Sequence, residues 1–115
     1  MQRSVPESEW KVFRTLRDAV RERFCERILE QIDGLCRAHG RSPYERYRDI
    51  FCLLNDRDRE MAQAFDDVRR STMIASLGAM VRLDLVGPRD LAQFTESTRE
   101  TVGRIAGRTN RNDAV

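Results

Sequence analysis

A chain of 115 residues, 40% hydrophobic and 35% charged, has the length of one domain with a real core and an ionic surface. Its net charge of +2 is spread with no basic block or tail, so the electrostatic signature of a nucleic-acid or membrane-surface binder is missing. Of the 21 basic residues only Lys11 is not Arg, a bias that fits coding composition better than phosphate binding, which uses both residues.

The first predicted helix covers residues 7–38, with Trp10, Phe13, Leu16, Val20, Phe24, Ile28, Ile32 and Leu35 at steps of three and four. It would be about 45 Å long, more than a compact domain of this size wraps, so other helices must lie along it and part of it must overhang. The overhang is expected near Trp10 and Phe13, or at the other end around Leu35. Ser4 or Ser8 can cap its start, and Gly40 suits a left-handed position after its end.

Ser42-Pro43-Tyr44-Glu45 then reads as a capping box opening a second helix, residues 43–66, which must turn back along the first. Its stripe of Tyr44, Tyr47, Phe51, Leu54, Asp58, Met61, Phe65 and Val68 is a heptad seam with one carboxylate inside it. Folding the chain about Gly40 sets Asp58 within a turn or so of Arg21 and Arg27, which predicts a buried ion pair that fixes register.

Asp66 to Thr72 is a polar junction. Asp66 or Asp67 can cap a third helix, residues 68–86, and Asp66, Asp67, Arg69 and Arg70 together form a charged knuckle that could receive a partner. Gly87-Pro88 starts a short fourth helix, residues 88–94, and Thr95 or Ser97 caps a fifth, residues 96–106. The expected result is an all-α antiparallel bundle built on two long helices with three shorter ones packed along them. It forms a single domain, residues 1–106, followed by a frayed tail, residues 107–115, with nothing to bury.

No catalytic signature is present, and no cofactor is expected. Cys36-x-x-His39 could supply two ligands of a zinc site, but Cys25 and Cys52 lie turns away, so no metal is expected and the three cysteines read as small buried hydrophobes. The longest strictly apolar run, residues 50–54, is far too short to span a bilayer, and unpaired cysteines suit a reducing compartment, so the protein is expected in the cytoplasm and away from membranes.

Two resemblances add to this reading. Leu91-Ala92, Phe94 and Thr101-Val102-x-Arg104-Ile105 resemble the helix-turn-helix of LacI-type repressors over residues 90–105, although Glu96 stands where that turn normally has Gly. The resemblance implies DNA contact through Thr98, Arg99, Thr101 and Arg104. Over most of its length the chain is similar to small bacterial helical proteins with Glu-Trp, Arg-Phe-Cys-Glu, Ser-x-x-Glu-Arg-Tyr and Phe-Asp-Asp-x-Arg-Arg-Ser-Thr segments. Here these are Glu9-Trp10, residues 23–26, 42–47 and 65–72. That resemblance implies an all-helical fold and no assigned activity.

The leading functional expectation is therefore a non-enzymatic helical module acting through protein contacts or self-association, with Trp10, Phe13 and the knuckle as partner-binding candidates. DNA binding is the alternative. An enzyme would have to build its site around Asp58 and its arginine.

Overall fold

In the computed structural model, which describes residues 5–113 and the side chains up to residue 107, every regular element is a helix. These are α1 (Glu7–Cys36), α2 (Pro43–Phe65), α3 (Met73–Arg82), α4 (Pro88–Leu91) and α5 (Glu96–Asp113), with a 3₁₀ turn at Arg70–Thr72 before α3. All-α architecture follows from the unbroken period of three and four in the apolar residues.

The core is the N-terminal two thirds of α1 wrapped by the C-terminal half of the chain. Phe13, Val20, Ala64, Met73, Leu77, Met80 and Val102 are inaccessible to solvent, and Leu16, Phe24, Ile28 and Phe94 nearly so. α3 lies at its centre against α5, and a Cβ added to Gly78 would stand 3.0 Å from Ile105 Cγ2, so glycine sets how closely these two helices approach. Phe65 of α2 stacks on Phe24 of α1 at 6.3 Å between ring centroids, and Trp10 stacks on Phe13 at 5.8 Å.

α3 stops four residues before the sequence pattern predicts. Asp84 takes a left-handed φ of 59°, Leu85 N–H bonds back to Met80 O at 3.0 Å and Asp84 N–H to Val81 O at 2.9 Å, a Schellman motif. Leu85 and Val86 then turn into the core instead of continuing a helical face. Gly40, expected in the left-handed region, is not there, and Asp67 (φ 53°) and Asp84 are the residues with positive φ. Aspartate tolerates this conformation better than most residues because its short side chain hydrogen-bonds locally.

α1 closes that end of α3 with two arginines. Arg27 donates to Leu83 O at 2.6 Å and Asp84 O at 2.8 Å, while Arg23 donates to Leu85 O at 3.0 Å and to Asp90 Oδ2 at 2.9 Å. Helix C-termini carry unsatisfied carbonyls and partial negative charge, and a guanidinium answers both.

Beyond this clamp the chain changes character. From residue 29 to residue 63 no residue is buried. The last turns of α1, the 37–42 turn and most of α2 form a projecting arm, taken here as residues 29–60, and the molecule measures 52 × 33 × 25 Å. Its Cα radius of gyration of 16.6 Å exceeds the roughly 13 Å of a compact domain of this length.

α5 continues to Asp113, past Gly107 where the sequence predicts a frayed tail, and residues 114–115 of that tail lie outside the described residues. At the other end Ser4 lies outside them as well, and α1 starts at Pro6 without a side-chain cap. Val5 is buried, and its carbonyl accepts from Arg70 Nε at 2.6 Å.

Candidate functional site

The feature that the core does not explain is the arm. Its two strands of helix are joined by polar contacts. The capping box is formed as expected, with Ser42 N–H donating to Glu45 Oε1 at 2.8 Å and Glu45 N–H to Ser42 Oγ at 3.1 Å. The Ser42 N–H, helped by Arg41, holds the Glu45 carboxyl below the usual carboxylate range. Arg41 pairs with Asp49 at 2.8 Å, Arg46 donates to Cys36 O at 2.7 Å and Arg57 donates to Gln31 Oε1 at 3.2 Å. α2 thus returns along α1, and between them Ile50 and Leu53 are half-buried.

Of the apolar seam of α2, only the lower end meets α1, where Phe65 stacks on Phe24. Its lower members, Met61, Phe65 and Val68, pack against the core, and the same stripe continues upward past the end of α3 into solvent. There Tyr44 is 70% exposed, Tyr47 61%, Phe51 49% and Leu54 42%, and Leu29 of α1 is 65% exposed. These are all the large hydrophobic residues in the exposed class among those described, and every one is on the arm. Three aromatic rings of 150–250 Å² each, half or more uncovered, give with the leucines a patch on the order of 500 Å². That is near the upper end for a monomer, where such patches mark contact sites.

The predicted ion pair is absent. Asp58 lies on the same outward stripe, exposed, with no hydrogen bond or ion pair. Arg21 sits 3.6 Å from Asp18 on its own helix, and Arg27 is engaged with the end of α3. Reflection about Gly40 also misjudges the level: Arg57 meets Gln31 and Phe65 meets Phe24, so Asp58 lies near residue 30 of α1, about two turns from where the reflection sets it, and on a stripe rotated away from α1.

Of the partner-binding candidates at the N-terminus and the knuckle, Trp10, Phe13 and Arg70 are engaged in the fold. Phe13 is at the centre of the core and Trp10 half-buried beside it, so the overhang is the Leu35 end of α1. Arg70 ties Val5 and Glu7 to the junction, with Glu7 Oε2 2.8 Å from its Nη1. Arg69 pairs with Asp67 at 3.0 Å, and Thr72 Oγ1 accepts from Arg69 N–H at 2.8 Å. Asp66 is the exposed C-cap of α2, not the N-cap of α3.

The residues placed on a DNA groove by the repressor resemblance do not share an outward face. Thr98 is buried and donates to Glu9 Oε2 at 2.9 Å, and Arg99 Nη1 donates to Phe94 O. Thr101 Oγ1 donates to Ser97 O at 3.0 Å and accepts from Arg104 Nη2 at 3.3 Å. The first helix of the motif is reduced to the single turn of α4.

Sequence reasoning missed the role of Glu9. Its carboxylate, only 5% exposed, also accepts Thr95 N–H at 2.7 Å, so a side chain from the first turn of α1 caps the start of α5. Thr95 adds the local cap, its hydroxyl accepting Thr98 N–H at 3.3 Å. The cleft of about 330 Å³ beside them, lined by Val5, Ile74, Thr101 and Arg104 among others, therefore contains a carboxylate whose two oxygens are already occupied.

Cys36 and Cys52 are exposed and Cys25 half-buried, a correction to the reading of all three as buried hydrophobes. Among the described residues no group of three or more His, Cys, Asp or Glu side chains is placed to hold a metal ion, and no helix is long and apolar enough to cross a membrane. No family model, curated protein or solved structure matches the chain.

Proposed function

We propose that the protein is a non-enzymatic helical interaction module, an antiparallel bundle built on its two longest helices whose working part is the arm, acting through protein–protein contacts. The observation that carries this reading is the confinement of the exposed large hydrophobic residues, among those described, to an arm with no buried residue of its own, four of them on one stripe of α2. Helices in proteins gain most of their stability from packing an apolar face, and here the exposed part of that face has nothing on it. Polar groups elsewhere serve the core: Glu9, Arg23, Arg27 and Arg70 each satisfy backbone or side-chain partners across the chain.

Placing a photo-crosslinking phenylalanine analogue at Tyr47 in living cells tests the reading, with the same analogue at the exposed Glu22 as control. Covalent adducts at Tyr47 well above those at Glu22 are expected, their second component identified by mass spectrometry. Equal yields at the two positions would overturn it.

A further inference from the structure

We infer that what covers the arm is the arm of a second copy of this chain, the two packed antiparallel about a two-fold axis near Phe51 with Tyr44 of each copy facing Asp58 of the other. The inference rests on the proposed interaction role and names its partner.

Size points to a second copy. The chain exposes 8045 Å², against roughly 6,500 Å² for a compact monomer of 13.4 kDa. The surplus, on the order of 1,500 Å² over the whole chain, exceeds the ~800 Å² that each partner contributes to an interface of standard size, which leaves room for such a contact.

The seam is self-complementary. Tyr44, Tyr47, Phe51, Leu54 and Asp58 follow steps of three and four that are nearly symmetric about Phe51. Antiparallel pairing then sets Phe51 on Phe51, Tyr47 beside Leu54, and the Tyr44 hydroxyl where it can donate to the Asp58 carboxylate. Parallel pairing would instead press two Asp58 carboxylates together, which like charges resist, and would put both cores at one end. Beside the seam Arg48 falls against Asn55, so no like charges meet at that flank. A two-fold axis is also the commonest symmetry of homo-oligomers and requires a patch that fits itself.

The end of α3 leaves that face uncovered. Met61 and Phe65 pack against the core and α3 ends at the level of Arg27, so the stripe beyond them is left exposed. A second hairpin laid on that stripe continues the layer that α3 begins.

Two measurements test this. Sedimentation of the natural chain from 1 to about 100 µM should give twice 13.4 kDa. Phe51→Glu should weaken association roughly 30-fold or more, as expected for a central aromatic anchor, with helicity by circular dichroism unchanged because Phe51 has no role in the core. In a background with the three cysteines replaced by serine, and helicity checked, Phe51→Cys should oxidise to a disulfide-linked pair. Tyr44→Cys should cross-link with Asp58→Cys when the two proteins are mixed, and not with itself.

A monomer across the whole range overturns the inference, as does a dimer that Phe51→Glu leaves intact, or one in which Tyr44→Cys links to itself and not to Asp58→Cys. If the chain is monomeric while Tyr47 still yields adducts with a different protein, the second copy fails and the interaction reading stands. If neither occurs, both fail.

Discussion

Replacing Glu9 by alanine is the sharpest probe of how the two ends of the chain are joined. The carboxylate accepts Thr95 N–H at 2.7 Å and Thr98 Oγ1–H at 2.9 Å from a site that is almost fully buried. A hydrogen bond to a charged group contributes about 1.5–3 kcal/mol, and losing the acceptor strands a backbone N–H at the start of α5. Part of the loss is recovered because the Thr98 hydroxyl also lies 3.2 Å from Thr95 Oγ1 and can turn to it. The expected net cost of Glu9→Ala is about 3 kcal/mol, a large share of the 5–15 kcal/mol typical of a domain, and it should lower Tm by roughly 10–15 °C. Glu9→Gln, which keeps one acceptor, should cost about half as much. Urea and thermal unfolding, compared at one protein concentration since association would shift both, measure it. A Glu9→Ala protein within 0.5 kcal/mol of the natural one, a margin ordinary for surface substitutions, would show that the α1–α5 cap contributes little and that the argument from burial is wrong.

Removing the clamp on α3 with Arg27→Ala should cost about 1.5–3 kcal/mol in urea denaturation, since two carbonyls lose a charged donor. Gly78→Val adds a branched side chain where a Cβ alone reaches 3.0 Å from Ile105, and should destabilise by about 2–3 kcal/mol. Ile105→Ala introduced with it should recover part of that loss, and additive effects in the double variant would disprove the contact's role. The Arg23 hydrogen bond, against the opposing effect of burial and with help from Gly87 N–H, holds the Asp90 carboxyl below the usual carboxylate range. Its contribution is therefore complete above about pH 4, where an unfolded Asp is ionised, and disappears as pH falls through the lower folded value. The stability gap between the natural chain and Asp90→Asn should stay constant from pH 7 to 5 and shrink below 4. A gap that widens on acidification would contradict the assignment.

Helix content was legible in the sequence wherever local chemistry decides it. The Ser42 capping box, Pro43 and Pro88 at helix starts, and the period of the apolar residues through Ile28 are local signals, and the structure bears each of them out. The end of α3 was not legible, because a left-handed turn is usually announced by glycine and here Asp84 makes it, while Leu85 keeps the helical spacing by coincidence. Nor was the partner of Glu9, since nothing near Glu9 in the chain hints at Thr95 or Thr98. The seam of α2 was correctly recognised as apolar, but periodicity gives the direction of a face and not its occupant. Assigning α1 as that occupant produced the Asp58 pairing that the structure does not contain.

The separation in chain distance between the two kinds of contact has a consequence for the newly made protein. The arm's hydrogen bonds join residues 8, 10 and 26 positions apart, whereas the Glu9 bonds span 86 and 89. As the polypeptide leaves the ribosome, the hairpin has all its own partners in hand while α1 still waits for α5, which is made later. Its sticky face is thus on display before the globular part can close, so two neighbouring nascent chains can meet through their hairpins before either has finished folding.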